Sequence, residues 1–272
     1  MAEINIPNLP IIKHRNKIFR DGFLSMAIIG KSGCGKTRML ASILPGISDS
    51  IKTVLIATII KGVPLHEGIV NYFRVRGARC GIGNTPDEMQ TAVTGLEATG
   101  EVTLRRQGLI IFDDFNDGRA IGPYWNFVIH AFTKLRNSGW NFIIITQQPT
   151  FIPTIVRNCT TSRVLFDCAT RSALTGFTKD VSDRISDRDG YDLLLDYIRR
   201  IPYTYILVQE HPFEVCAGKL NEFKVVMDQS SVKIPTLKEL EKEMGVTSVK
   251  DLNEESQRSQ IKAGNNNWRL YL

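Results

Sequence analysis

Short apolar runs alternate with helical stretches along the first two thirds of the chain. Five runs have the length of strands: Leu24–Ile29, Thr53–Ala57, Leu109–Phe112, Phe142–Thr146 and Arg163–Phe166. Because each run is apolar almost throughout, rather than at every second position, these strands are predicted to be buried on both faces. Strands of this kind that alternate with helices build a parallel sheet. The pattern therefore predicts an α/β fold with a mainly parallel central sheet covered by helices on both faces.

The boundaries of the helices between these strands can be predicted from local signals. Thr85 and Glu88 form a capping-box pattern around a proline, which predicts a helix that runs toward Thr99. A second helix is predicted from about residue 123 to residue 137, where a Ser-Gly pair ends it. A short helix over residues 37–44 ends at a Pro-Gly pair. Each helix falls between two predicted strands, as a parallel sheet requires.

The chain divides into three parts at the level of sequence. An N-terminal arm covers residues 1–17, and the α/β domain covers residues 18–210 with a further strand candidate at Tyr203–Val208. Residues 211–272 form a C-terminal extension with a charged helix, LKELEKEM, and a polar tail. We expect the chemistry to lie in the middle part.

Composition excludes several classes of protein. No stretch approaches the roughly 18 consecutive apolar residues of a membrane span, and the N-terminus lacks the pattern of a signal peptide. The five cysteines are odd in number and scattered, which argues against a disulfide framework and a zinc ribbon. We therefore expect a protein of a reducing, intracellular compartment. The formal charge of +6 permits a polyanionic partner.

Residues 28–37, IIGKSGCGKT, fit the phosphate-loop template G-x-x-x-x-G-K-[ST]. The loop stands between a predicted strand and a predicted helix, where backbone N–H groups and the helix dipole converge on an anion. Lys36 is predicted to reach the β- and γ-phosphates, and the Thr37 hydroxyl is predicted to ligate magnesium. The predicted nucleotide-binding residues are Gly30, Lys31, Ser32, Gly33, Cys34, Gly35, Lys36, Thr37 and Arg38.

The run LIIFDDF, residues 109–115, ends in two carboxylates at the end of a strand. Asp113 is predicted to hold magnesium together with Thr37 and water. Asp114 is predicted to point toward the γ-phosphate and to polarise the attacking water. A second acid of this kind favours steady hydrolysis over a switch or a kinase.

The run NFIIITQQP, residues 141–149, places a polar amide at the end of the next buried strand. Gln147 can sense the γ-phosphate, orient the attacking water or serve only as a hydrogen-bonding turn residue. Gln148 is expected to point to the opposite side because side chains alternate along a strand.

Taken together, GKSGCGKT, IIFDD, the arginine of KLRNSGWNFIIITQQ and the following PTIVRN resemble the viral DNA-packaging ATPases related to the poxvirus packaging enzyme. These belong to the FtsK–HerA superfamily of additional-strand-type P-loop NTPases, and the resemblance covers roughly residues 18–170. It implies a sheet in 5-1-4-3-2 order and ATP and Mg²⁺ as cofactors. It also implies that Asp113 is the metal ligand, Asp114 the base and Gln147 the sensor.

The resemblance further implies an arginine that a neighbouring subunit inserts beside the γ-phosphate. Arg136 stands where the family places this arginine, and Arg157 in the loop after the sensor strand is the alternative. Both are expected near the carboxyl edge of the sheet. Relatives often have histidine after this arginine, whereas this chain has Asn137. Asn137 argues against assignment to a narrow subgroup of the family, and it does not affect the assignment to the superfamily.

Two clusters of arginines are candidates for sequence-independent contact with double-stranded DNA. Arg74, Arg76 and Arg79 form the first, between the second strand and the Thr85 helix, and Arg105 and Arg106 form the second. Either cluster can equally be a solvated surface. No zinc finger, helix-turn-helix or aromatic platform is apparent, so base-specific reading is not expected.

The function predicted from the resemblance is a ring-shaped homo-oligomeric motor that packages viral double-stranded DNA into a capsid. Its predicted partners are DNA, copies of itself and a capsid or portal component, without a membrane segment. We expect it in the host cytoplasm, a viral factory, the host nucleus or the virion. The alternatives are an FtsK/HerA-like helicase, a conjugation-type DNA pump, and a nucleotide or small-molecule kinase. A GTP-dependent switch is disfavoured because the chain lacks an N-K-x-D motif.

Overall fold

Among the residues that the structure describes, eight strands form one central sheet. The structure is a computed structural model, and it describes residues 24–47, 50–100, 102, 107–115, 122–147, 149–167, 198–199, 203–210 and 213–219. Its strands are β1 Ser25–Ile29, β2 Thr53–Ala57, β3 Arg79–Gly83, β4 Gly108–Asp113, β5 Trp140–Thr146, β6 Ser162–Leu165, β7 Thr204–Glu210 and β8 Phe213–Lys219. Its helices are α1 Lys36–Ile43, α2 Pro64–Arg74, α3 Pro86–Ala98, α4 Pro123–Thr133 and α5 Thr154–Asn158.

The strand order is β3-β2-β4-β5-β1-β6-β7-β8. The five strands predicted from sequence are β1, β2, β4, β5 and β6, and their spatial order β6-β1-β5-β4-β2 is the predicted 5-1-4-3-2 order. These strands and β3 are parallel, whereas β7 and β8 add an antiparallel hairpin beyond β6. The predicted fold class is confirmed.

Side-chain alternation divides the core into two layers. On one face, residues such as Ala27, Ile110 and Phe142 pack with α3 and α4. On the other face, residues such as Ile28, Ile111 and Ile143 pack with α1 and α2. Because each strand is buried on both faces, its sequence is a continuous apolar run and not an alternating one.

The predicted helix boundaries are close to those observed. The Thr85 hydroxyl accepts the N–H of Glu88, and the Glu88 side chain accepts the N–H of Thr85, so the predicted capping box is present at the start of α3. The second predicted helix is α4 followed by a 3-10 turn at Leu135–Ser138. Gly139 ends this turn with φ 97°, a left-handed conformation that glycine adopts without strain.

Two strands were not predicted. The sequence of β3, RCGIG, has two glycines and only one branched apolar residue, so its strand signal is weak. The other strand, β8, lies within the stretch assigned to the C-terminal extension, and its pairing with β7 carries the sheet past residue 210. The N-terminal arm, the charged helix and the polar tail lie outside the described residues.

Candidate functional site at the carboxyl edge of the sheet

The loop from Gly30 to Gly35 joins β1 to α1 and has the conformation that its glycines predict. Gly35 is the N-cap of α1 with φ 103°, in the left-handed region. A Cβ at Gly30 would lie 2.6 Å from Cβ of Phe166 and 2.7 Å from Sγ of Cys34, so the chain closes tightly at this point. The loop therefore packs closely in front of α1, and the start of a helix is a favourable place for an anion.

Lys36 lies over this loop. Its side chain is buried, and its Nζ donates a hydrogen bond to the carbonyl oxygen of Lys31 at 2.9 Å. The loop is held from outside as well, because Gly30 N donates to Thr146 O and Lys31 N donates to Asp167 O. A buried ammonium group beside a glycine-rich loop at the start of a helix has the charge and the location to bind a phosphate.

Asp113 is the last residue of β4, and strand alternation decides where it points. Leu109 and Ile111 face the layer of α1 and α2, and Asp113 follows in the same register. The Thr37 hydroxyl on α1 lies 3.4 Å from Oδ2 of Asp113. The structure therefore brings together the two predicted magnesium ligands.

His66 contacts the same carboxylate and was not predicted. It lies in the first turn of α2, is almost fully buried, and places Nε2 2.7 Å from Oδ2 of Asp113. No motif surrounds this histidine. The available signal was topological: the helix after β2 flanks β4, because β2 and β4 are neighbours in the sheet.

Asp114 leaves the strand in a conformation that few residues adopt. Its φ is 46°, in the left-handed region, which aspartate tolerates better than most side chains. Its N–H donates to the Ile145 carbonyl, and its Oδ2 accepts a hydrogen bond from Nε2 of Gln147 at 3.1 Å. The second acid and the predicted sensor are thus in direct contact.

Burial raises the pKa of Asp114 above the usual aspartate value. The hydrogen bond from Gln147 opposes this rise in pKa, the nearby charge of Asp113 adds to it, and Lys36 opposes it. An aspartate with a raised pKa is a stronger base than an exposed one. Asp114 therefore has the chemistry of a group that accepts a proton from water.

The donor set fits ATP with Mg²⁺. A hydroxyl and a carboxylate supply the hard oxygen ligands that magnesium prefers, while the loop and Lys36 supply donors for phosphate. Among the described residues, no group of three or more His, Cys, Asp or Glu side chains could hold a metal ion by itself. The pair of Thr37 and Asp113 suits a magnesium ion that nucleotide phosphates also ligate.

A third carboxylate, that of Asp167, lies beside the loop. It pairs with Nζ of Lys31, and its Oδ1 lies 3.2 Å from Nε of Arg199. Arg199 therefore lies at the carboxyl edge of the sheet. It was not predicted there, because more than thirty residues separate it from the end of β6. Ser32 and Arg38, both predicted to bind nucleotide, are exposed in the loop and on α1.

The predicted position of Arg136 and Arg157 is wrong. Arg136 precedes β5, whose seven residues rise by about 20 Å before Gln147 is reached. Arg157 lies two residues before Cys159, whose carbonyl accepts the hydroxyl of Ser25 at the first position of β1. Both arginines therefore lie toward the amino edge of the sheet. Arg136 lies before β5 begins, and Arg157 lies after β5, in the helix that leads back to the start of β6.

The first arginine cluster also lies at the amino edge. Arg74 ends α2 and Arg79 begins β3, while the guanidinium of Arg76 lies 3.6 Å from the ring centroid of Tyr72. The exposed Lys52 immediately precedes β2, and its carbonyl accepts the N–H of Arg79. Arg105 and Arg106 lie outside the described residues, as does Gln148.

No helix within the described ranges is long and apolar enough to cross a membrane. No protein-family model matches the chain, and no curated protein matches it.

Solved structures from two viruses are similar to this chain. The DNA-packaging ATPase B204 from Sulfolobus Turreted Icosahedral Virus has 14% identity and a TM-score of 0.50, and the match covers 71% of this chain and 96% of that chain. The genome packaging NTPase B204 from Sulfolobus turreted icosahedral virus 2, in complex with sulfate, has 12% identity and a TM-score of 0.50 over 73% of this chain and 97% of that chain. This chain thus has the fold of P-loop ATPases, and at the level of the fold the resemblance to viral packaging ATPases is confirmed.

Proposed function

We propose that the protein hydrolyses ATP at the carboxyl edge of the sheet. The observation that carries the proposal is the convergence of Lys36, Thr37, Asp113, Asp114 and Gln147, which three separate segments deliver to one place. In this assignment, the loop N–H groups and Lys36 bind the phosphates. Bound Mg²⁺ supplies positive charge against the phosphate oxygens.

Asp114 is the general base in this proposal. Its carboxylate accepts a proton from the attacking water, and Gln147 holds the carboxylate in place through its amide. The left-handed backbone at Asp114 is a strain of the kind that persists at functional sites. Asp113 and Thr37 hold the metal, which leaves Asp114 to act on water.

The work coupled to hydrolysis is proposed to be the translocation of viral double-stranded DNA into a capsid. Support comes from the fold shared with B204, which is itself a DNA-packaging ATPase. The exposed basic residues of the amino edge provide a surface for phosphates. A capsid or portal component is the second proposed partner, with the host cytoplasm, a viral factory, the host nucleus or the virion as the place.

In a homo-oligomeric ring, the amino edge of the sheet in one subunit could lie beside the carboxyl edge of the sheet in its neighbour. In a head-to-tail interface the amino edge of one subunit faces a different surface of its neighbour. Arg136 is exposed at the amino edge and too far from its own phosphate loop to act there. We therefore assign it to a neighbour's γ-phosphate, with Arg157 as the alternative. An arginine at the amino edge can contact a γ-phosphate only if that nucleotide is bound to a neighbouring subunit.

Two other functions use the same site. A helicase or conjugation-type DNA pump would also couple ATP hydrolysis to movement along DNA. It would differ from a packaging motor in the protein partner that it acts with. A nucleotide or small-molecule kinase would transfer the phosphoryl group to an acceptor other than water, and Asp114 beside Gln147 favours hydrolysis over that reaction.

The test is the rate of phosphate release from ATP with and without duplex DNA. A DNA motor is expected to be stimulated by duplex DNA of any sequence, and Lys36→Ala should abolish both rates. Heparin, a polyanion that is not a nucleic acid, controls for charge alone. Equal rates with and without DNA would contradict the motor, and phosphate transfer to a small acceptor without release would favour the kinase.

A further inference from the structure

His66 is a buried titratable residue to which the proposed reaction gives no role. It is the third residue of α2, a helix that begins at Pro64 beside the carboxyl end of β2. Its side chain is 3% exposed, and its Nε2 lies 2.7 Å from Oδ2 of Asp113. A histidine at this depth is held in place by packing, so its ring has a fixed direction.

Asp113 needs a hydrogen-bond donor at this position. Its side chain is 10% exposed, and a carboxylate removed from water is costly unless donors replace the lost solvent. Thr37 lies 3.4 Å from Oδ2, which is a long hydrogen bond, whereas His66 lies 2.7 Å from the same oxygen. The short contact to His66 therefore contributes more to the orientation of the carboxylate.

We infer that His66 is a positioning residue for the magnesium site. Its Nε2–H donates to Asp113 and keeps the carboxylate aimed at the Thr37 hydroxyl, so that both metal ligands are preformed. Carboxylates that bind metals are commonly held by such a second group, and loss of that group typically costs about 10- to 100-fold in metal affinity or activity. The inference rests on the proposed function, because it assumes that Thr37 and Asp113 hold Mg²⁺.

Direct ligation of magnesium by His66 is a different idea, and the chemistry disfavours it. Magnesium prefers oxygen ligands, and neutral imidazole suits zinc, copper or nickel. The contact distance to the Asp113 oxygen is that of a hydrogen bond. His66 therefore acts through Asp113.

Three variants separate the donor from the bulk of the side chain. His66→Gln places an amide N–H near the position of Nε2 and keeps the donor. His66→Leu has a similar volume and no donor. His66→Asn is polar but its amide ends near the position of Nδ1, so it cannot reach Asp113, and it provides a second loss variant if the leucine variant does not fold.

The first readout is the affinity for a fluorescent, non-hydrolysable ATP analogue, measured in EDTA and as a function of Mg²⁺. The Leu and Asn variants should need about 10- to 100-fold more Mg²⁺ for the same enhancement of binding, with unchanged affinity in EDTA. The Gln variant should stay within about threefold of the wild type. This readout does not require hydrolysis, so a wild type that binds Mg²⁺ and nucleotide but releases no phosphate would overturn the proposed ATPase and leave this inference standing.

The second readout is a double-mutant cycle with Asp113→Asn. If His66 acts through Asp113, His66→Leu should change the Mg²⁺ requirement by less than about twofold once Asp113 is replaced. An unchanged Mg²⁺ requirement in the Leu and Asn variants would overturn the inference. Equal losses of affinity in EDTA and in Mg²⁺ would also overturn it, because they would place the effect on the phosphate loop and not on the metal site.

Discussion

The two edges of the sheet carry polar residues in different ways. At the carboxyl edge, Lys36, Asp113 and His66 are buried and hydrogen-bonded to neighbouring groups, so one compact arrangement results. At the amino edge, Lys52, Arg76 and Arg136 are exposed and distributed along three different connections. A buried, mutually bonded set has the rigidity that chemistry requires, whereas an exposed row of positive charge suits contact with a partner.

A large difference between the edges is expected from the two lysines Lys36 and Lys52. Lys36→Ala removes the buried ammonium group from the phosphate loop, and the loss of one such stabilising group typically costs about 10²–10³ in rate. Lys52→Ala, at the amino edge, removes the same charge from an exposed position and should leave DNA-independent turnover within about twofold. Steady-state phosphate release with a thermal unfolding control measures both. Wild-type turnover in a folded Lys36→Ala protein would contradict the assignment of the carboxyl edge.

Asp114→Asn separates binding from chemistry within the carboxyl edge. Asparagine tolerates the left-handed backbone at this position, so the fold should be retained. The variant should bind ATP with Mg²⁺ through Asp113 and hydrolyse it about 10²–10⁴-fold more slowly, because the base is lost. Nucleotide binding and single-turnover hydrolysis test this expectation. A collapse of affinity with a high residual rate would show that the roles of Asp113 and Asp114 are exchanged.

Replacement of two amino-edge arginines should affect DNA and not ATP. In Arg74→Gln/Arg76→Gln, each lost phosphate contact should reduce the slope of log affinity against log salt by about 0.9. The matched control is Arg199→Gln, an arginine of the carboxyl edge that pairs with Asp167 and should leave the salt slope unchanged. Fluorescence anisotropy with a duplex of random sequence gives both slopes. Equal salt slopes for the wild type, the double variant and Arg199→Gln would contradict a contact between this arginine cluster and DNA.

The smallest expected effect is a shift in pH dependence. Burial raises the pKa of Asp114, and the hydrogen bond from Gln147 opposes that rise. Asp114 must be ionised to accept a proton, so Gln147→Leu should raise its pKa further and move the acidic limb of kcat/KM to higher pH. The rate should recover at alkaline pH, where Asp114 is ionised in both proteins. A limb that moves to lower pH would contradict the assignment of Asp114 as the base.

Features defined by local sequence could be predicted, because the backbone geometry at each depends on residues close in the chain. The glycine-rich turn between β1 and α1 and the capping box at Thr85 are of this kind. Asp113 was predictable because it ends an apolar run beside a phosphate loop. The order of the five core strands followed from the resemblance to a known superfamily and not from their sequences.

Single residues whose position depends on long-range packing could not be placed. His66 carries no motif, and only the pairing of β2 with β4 brings α2 to Asp113. Arg136 is a different case, because the predicted strand Phe142–Thr146 already separates it from Gln147 and could have placed it at the amino edge. The weak strand β3 was missed for a local reason, because its two glycines reduce its apolar signal.

We propose that the carboxyl edge of one subunit and the amino edge of its neighbour form one active site in a homo-oligomeric ring. Arg136→Ala and Asp114→Asn each remove a different half of that site, so each variant alone should be nearly inactive. In a mixed ring, some interfaces pair an intact Asp114 with an intact Arg136. The same mixture made with Arg157→Ala decides between the two candidate arginines.

The deciding measurement is the ATPase rate of a 1:1 mixture of Arg136→Ala and Asp114→Asn, compared with the sum of the two variants measured separately. Subunit exchange is verified by energy transfer between labelled copies. A shared site predicts a mixed rate well above that sum, because an arginine supplied by a neighbour contributes about 10³–10⁵ to the rate. A mixed rate equal to the sum, despite verified exchange and for both Arg136→Ala and Arg157→Ala, would contradict a shared site.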